Sequence, residues 1–399
     1  MINPKADTFG KYNGNEAEYA LRMLARLDDD DPRSWPQRLE EAFAEKLDVS
    51  YAIACNSGTS GLHMAMYAAD VGPGDEVISP ALTVVMDAYA AIHLGGVPVF
   101  ADVDSTTWNI DPTDVERKIT PKTKAILVVS WAGLPVDMDP IMEIAARHNL
   151  MVVEDSAQTL LSTYKGREAG TIGHLGVYSF ESKKHMTCGS EGGMVVSNDP
   201  ELATRARKFG GIGYKHMTAS AGRTHLAMST VQDPAYERFD TIGLNYRMNE
   251  ISAAVGLGQL ERLDEIVGRR KEVAKLFANA VAGCNWFRPQ RSQAESVNSY
   301  YTFIVDYHGG EQHGVSWKEF YNRYVERGGD GFYGACMIPY LEPALNGKIF
   351  GDTICEPGLC PVAEALQQRT MQFKTNYRNM AVAEEKTRLL GDLIDEMGR

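Results

Sequence analysis

Two adjacent lysines, Lys183 and Lys184, stand in the run Ser179-Phe180-Glu181-Ser182-Lys183-Lys184-His185-Met186-Thr187, followed by Cys188-Gly189-Ser190-Glu191-Gly192-Gly193. A lysine amine attacks a carbonyl only when unprotonated. A site that gathers other cations and is partly closed to water lowers its pKa enough for imine chemistry near neutral pH. On a surface loop the same pair would serve solubility alone, and His185 reads as a packed or solvated neighbour. A carboxylate, Asp155, closes the apolar run in Val152-Val153-Glu154-Asp155-Ser156-Ala157-Gln158. Open α/β sheets present ligand-contacting groups at the C-terminal ends of buried strands. An aspartate there can keep a pyridinium nitrogen protonated, and it can equally cap the following helix.

Two further segments suit anions. Asn56-Ser57-Gly58-Thr59-Ser60-Gly61 lies between a strand ending at Ala54–Cys55 and an apolar helix, Leu62–Ala69. Free backbone N–H groups and the positive end of the helix dipole would converge there on a phosphate, although an ordinary Ser/Thr cap has the same pattern. Gly243-Leu244-Asn245-Tyr246-Arg247-Met248-Asn249-Glu250 gathers polar groups before a long helix, for anion contact or for capping. The patterns GxGxxG after a strand, GxxxxGK[ST], HExxH and GxSxG are absent, which argues against the usual nicotinamide enzymes, P-loop ATPases, zincins and α/β-hydrolases.

The elements that must position these groups alternate. Short apolar segments at 51–54, 76–79, 97–100, 124–129 and 150–154 are separated by helix-length stretches, which predicts a mostly parallel sheet covered on both faces. Val177–Phe180 and Gly193–Ser197 are two further strands. Residues 210–240 read as a long functional loop whose Lys215, His216, Arg223 and His225 face a diphosphate or water. From Glu250 to about Ala282 apolar residues recur at helical spacing, and 300–307 opens a new strand–helix region, so a domain boundary is expected near 265–285.

At ~150 residues per domain, 399 residues make two or three domains with a large core. The 44% hydrophobic and 23% charged composition is that of an ordinary globular chain. Forty Lys plus Arg against 53 Asp plus Glu leave a charge of −13, which disfavours nucleic acid and anionic membranes as partners. The acidic run Asp28–Asp31 reads as a solvated turn. No leader pattern or membrane-length apolar window is seen, so a cytoplasmic location is expected. Six scattered cysteines without zinc spacing predict reduced thiols and no metal site; Cys355 and Cys360 alone are placed to pair or to share a metal.

In this order, the four chemical segments resemble the sugar aminotransferase family often called DegT/DnrJ/EryC1/StrS, a branch of the fold type I pyridoxal phosphate (PLP) enzymes. The resemblance is close over 38–275 and looser beyond. It runs through GPGDEVISPALT (72–83), VPVFADVDSTTWNIDP (97–112), ITPKTKAILVV (119–129), YKGREAGTIGHLGVYSF (164–180) and Pro361-Val362-Ala363-Glu364. It implies an α/β fold with a large PLP-binding domain (1–270, with an N-terminal segment) built on a mostly parallel sheet, and a smaller C-terminal α/β domain (271–399). It implies a homodimer with shared active sites. The activity implied is transfer of an amino group from glutamate or glutamine to a keto group of a nucleotide-linked sugar or cyclitol, with PLP cycling through its amine form, PMP.

Carried over residue by residue, the resemblance implies that Lys184, four residues after Phe180, forms the Schiff base with the cofactor, with Lys183 as the alternative. Asp155 would pair with the pyridine nitrogen, and Gln158 would approach the phenolic oxygen face. Gly58, Thr59, Ser60 and Ser179, with Asn245 of the partner subunit, would bind the phosphate. Three departures stand out: an extra residue in Gly189-Ser190-Glu191, Val84 where the family has a ring-stacking aromatic, so that Val84 supplies an apolar wall, and Ser130-Trp131-Ala132-Gly133 where His and an aromatic are common. Sugar 3-dehydratases of the same family carry His in place of the lysine, so Lys184 favours transamination. A homologue that binds the cofactor without turnover is a further reading, with no DNA-binding region or basic tail to support it.

Overall fold

The computed structural model describes residues 11–27, 31–222, 226–334 and 338–399. Arg223, His225, Cys336 and Asp28 to Asp30 lie outside the described residues. Seven apolar runs form the central sheet: β1 (Tyr51–Cys55), β2 (Glu76–Pro80), β3 (Val97–Ala101), β4 (Thr123–Val129), β5 (Met151–Asp155), β6 (Leu175–Ser179) and β7 (Gly193–Ser197). Their order across the sheet is β1-β7-β6-β5-β4-β2-β3. The pairs β2·β3, β2·β4, β4·β5 and β5·β6 are parallel. Strand β7 is antiparallel to both its neighbours, so β1 runs in the same direction as β6. Six strands therefore deliver their C-terminal ends to one edge.

The runs are continuous rather than alternating because both faces are covered. Ala125, Leu127, Val129 and Val153 face one core, whereas Ile126, Val128 and Val152 face another. The covering helices are α1 (Glu16–Ala25), α2 (Trp35–Leu47), α3 (Gly58–Ala68), α4 (Val85–Ile92), α5 (Pro112–Arg117), α6 (Met138–His148) and α7 (Pro200–Gly210). Helix α3 starts four residues before the apolar run because Ser57 caps it.

The helical stretch expected from Glu250 is broken at Arg262 (φ −104°, ψ 8°) into α8 (Glu250–Glu261) and α9 (Leu263–Val281). Helix α9 then runs through the expected boundary region without a linker. Its Leu263 and Val267 join the core under α2, while Val273, Ala274, Phe277 and Val281 join a second core. That core covers a three-stranded antiparallel sheet, β8 (Phe287–Pro289), β9 (Thr302–Tyr307) and β10 (Thr370–Lys374), together with α10 (Trp317–Glu326) and α12 (Met380–Met397). Between them, Tyr340, Cys355, Cys360 and α11 (Pro361–Gln367) lean on the large sheet beside Phe100. Cys355 and Cys360 are separate buried thiols rather than a pair, and Cys360 Sγ lies 3.5 Å from the Phe100 carbonyl. Among the described residues no cluster of His, Cys, Asp or Glu could hold a metal ion, and no helix is long and apolar enough to cross a membrane.

Candidate active site

The sheet edge collects the expected residues from separate strands. Asp155 ends β5, Ser179 ends β6, and β1 feeds α3 through Asn56 and Ser57. At the start of α3, Ser57 Oγ accepts from the Ser60 N–H at 3.1 Å, while Ser60 Oγ accepts from the Ser57 N–H at 3.1 Å and donates to Asn56 Oδ1 at 2.6 Å. The hydroxyl of Ser60 is thus committed to a capping box. Gly58 packs against Ser179 so closely that a Cβ on it would lie 2.8 Å from the Ser179 Cβ. Thr59 is exposed beside it. First-turn N–H groups have no acceptor inside their own helix, so this cradle of Gly58, Thr59 and Ser179 fits a phosphate.

Lys184 is half-buried, with its Nζ 4.8 Å above the Tyr301 ring, whereas Lys183 is exposed. The segment is held from outside by Arg270 on α9. The Arg270 guanidinium donates to the carbonyls of Lys183 (3.1 Å), Lys184 (3.2 Å) and Tyr301 (2.9 Å) and to Thr375 Oγ1 (3.1 Å). Burial pushes its pKa down to about 10, which leaves it charged at neutral pH. His185 is a packed neighbour. Burial, with Arg270 nearby, drives its pKa well below the usual range, and its Nε2 sits 3.4 Å from the Ser299 carbonyl. Lys184 also lines a cavity of about 170 Å³ with Lys11, Arg269, Arg270 and Arg378. Asp155, Gln158, Gly58 and Ser179 do not line that cavity.

Asp155 is 4% exposed. Burial raises its pKa, opposed by the Ala157 N–H at 2.8 Å and by Lys184. Gln158 Oε1 accepts from the Ala132 N–H at 2.8 Å, which leaves its Nε2 end for a ligand oxygen. Ala132 adopts a left-handed φ of 58° in the turn Trp131–Gly133 that follows β4. Val84 is the half-buried N-cap of α4 and offers an apolar surface. Gly189-Ser190-Glu191 forms an exposed turn after the lysines, where Gly189 has φ +98°.

Two residues of this neighbourhood, Asp87 and Arg270, escaped the sequence reading. Asp87 had a signal, a carboxylate inside an otherwise apolar helix one turn after Thr83. Arg270 had none, since it approaches from 86 positions away.

Asn245 is exposed, bridged to Gly211 and bound by Arg247 Nε at 3.1 Å. Next to it Tyr246 accepts from the Asn56 N–H at 2.8 Å, so this segment runs beside the approach to α3. The 210–240 stretch is not loop throughout, since Met228–Gln232 is helical; within it Lys215 pairs with Glu237 at 2.7 Å and His216 stacks on Tyr236 at 5.5 Å, so both already have protein partners.

A parallel sheet edge with a phosphate cradle, a buried aspartate and a half-buried lysine on the following loop defines a PLP-dependent transferase of fold type I. The profile of the DegT/DnrJ/EryC1/StrS aminotransferase family matches residues 34–384, and the chain belongs to that family. It is 40% identical over 273 residues to the GDP-perosamine synthase of Caulobacter vibrioides, covering 68% of each chain. It is 39% identical over 264 residues to the GDP-perosamine synthase of Escherichia coli O157:H7, covering 66% of this chain and 68% of that one. Among solved structures, the aminotransferase from Psychrobacter cryohalolentis superposes with a TM-score of 0.82 at 30% identity, over 96% of this chain and 95% of the other.

Proposed function

We propose that the protein aminates the keto group of a nucleotide-linked sugar, GDP-linked by analogy with the two perosamine synthases, with glutamate or glutamine as nitrogen donor, in amino-sugar biosynthesis. The observation that carries this reading is Lys184: a lysine, not a histidine, stands half-buried on the loop after β6 and acts electrostatically on Asp155. A histidine can move a proton but cannot form the imine that returns an aminated product.

Bound PLP supplies the electron sink through which an amino group is handed from one substrate to the other. The chain's own residues do the rest. Gly58 and Thr59 present N–H groups to the phosphate, with Ser179 closing the cradle. The Asp155 carboxylate holds a proton at the ring nitrogen. Lys184 Nζ would move the proton off the donor's Cα in the first half of the cycle and place a proton on the acceptor carbon in the second. The Tyr301 ring, 4.8 Å from Lys184 Nζ, walls the lysine's side of the site. Exposed Phe239, Ile242 and Leu244, next to Asn245, support a dimer interface that carries Asn245 to the partner's phosphate cradle.

Incubation with ¹⁵N-labelled glutamate or glutamine and a GDP-linked keto-sugar, followed by mass spectrometry, tests the reading. A labelled amino sugar is expected. A deoxygenated product without the label would establish the dehydratase instead. Borohydride reduction and peptide mapping should place the pyridoxyl group on Lys184.

A further inference from the structure

Asp87 sits in the first turn of α4 and is 1% exposed. Its Oδ2 accepts from the Thr83 hydroxyl, one helical turn back, and its Oδ1 has no hydrogen-bond partner. Asp155 is the neighbouring carboxyl group, and Lys184 is a cation close to both acids. Two carboxylates in contact inside a protein do not ionise together; they share one proton.

The hydrogen bonds decide which of the two carries it. Asp155 accepts the Ala157 N–H, a fixed donor that favours its ionised form. Asp87 receives only a rotatable hydroxyl on one oxygen and nothing on the other. An Oδ1 with no donor is an anomaly for a carboxylate, but it is the expected position of the proton in a carboxylic acid. Burial and the neighbouring Asp155 both push the pKa of Asp87 upward, in agreement.

We propose that Asp87 is a positioning residue, a neutral carboxylic acid whose Oδ1–H donates to Asp155. It orients that carboxylate and leaves the site with one negative charge rather than two. The protonation of Asp87 rests on the protein's own geometry, whereas its service to the ring nitrogen rests on the function proposed above. Without Asp87 as a neutral donor, Asp155 would lose a hydrogen bond that favours ionisation. With Asp87 ionised, the site would hold a second anion that the single ring proton does not match.

The test is infrared spectroscopy of the protein at mildly alkaline pH, with and without PLP. A protonated-carboxyl C=O band is expected, and it should shift when the chain is made with ¹³C-carboxyl aspartate. The isotope separates it from Glu168, whose pKa burial raises to about 8, and from Glu154, which burial also raises. The band should vanish in Asp87→Asn; should that variant fold poorly, the labelled wild type still tests the proposal, because the absence of an aspartate band there would refute it. An aspartate band absent from the wild type, or retained in Asp87→Asn, would overturn the proposal. PLP binding is read separately by equilibrium dialysis, so a chain that shows the band without binding PLP indicts the function and leaves the proton on Asp87.

Discussion

Replacing Arg270 with lysine keeps the charge and removes the fork. The guanidinium reaches four acceptors on three segments: the carbonyls of Lys183 and Lys184, the Tyr301 carbonyl, and Thr375 Oγ1. An ammonium at the end of a shorter stem is a point donor and cannot span that spread. We expect Arg270→Lys to keep the contacts toward Tyr301 and Thr375 and to lose the two to the lysine segment. At about 1.5 kcal/mol for each hydrogen bond to a charged donor, some 3 kcal/mol of restraint on the Lys184 backbone disappears. If that restraint is what aligns Nζ for proton transfer, kcat/KM falls by roughly two orders of magnitude. A loss of lysine alignment alone should appear in kcat more than in KM. The assay is steady-state transamination with the donor varied, alongside urea unfolding of wild type and variant. A variant with wild-type kcat would refute the argument that Arg270 positions the lysine. A fall in activity fully matched by loss of folded protein would refute it as well.

Asp155→Asn should lower turnover far more than cofactor occupancy, because the carboxylate acts on ring protonation while the cradle at Gly58 supplies much of the binding; absorbance of bound PLP and activity per bound PLP separate the two effects. Mixing an Asn245→Ala chain with a Lys184→Ala chain should restore activity through hybrid dimers that bear one intact site, and no recovery after demonstrated subunit exchange would argue against shared sites. Glu168 is held protonated up to about pH 8 by burial, and its Oε1 lacks a partner. A carboxyl raised in the folded state contributes stability that is present at low pH and declines as pH rises from the unfolded value toward about 8. Glu168→Gln should therefore flatten that decline in urea melts taken across the window, and an unchanged pH profile would refute the assignment.

Much of this architecture was legible in the chain because its signals are local. Continuous Val, Ile and Ala runs mark strands buried on both faces, and Asp155 and Ser179 could be placed at their ends without coordinates. The apolar run marked α3 but not its start, which the Ser57 cap sets four residues earlier. The Lys184 assignment rests on the family resemblance, which sets the lysine four residues after Phe180. The lysines themselves were ambiguous, since identical adjacent side chains differ only in burial, and burial is set by Tyr301, 117 positions away from Lys184 in the chain.

Tertiary structure alone decided the rest. The reversal of β7 depends on which strands it enters between, a choice its own five residues do not encode. The break at Arg262 and the sharing of α9 by two cores arise because one helix must cover two sheets, so its apolar periodicity continues through the region where a domain boundary was expected. Arg270 lies at an ordinary position on that helix and becomes part of the site only when the chain brings Lys183, Tyr301 and Thr375 around it. Asp87 reads as a flaw in an apolar helix until the fold sets it against Asp155. Pattern reports what a residue is and which face it takes, but proton sharing and lysine alignment are properties of distances between segments, and packing alone sets those distances.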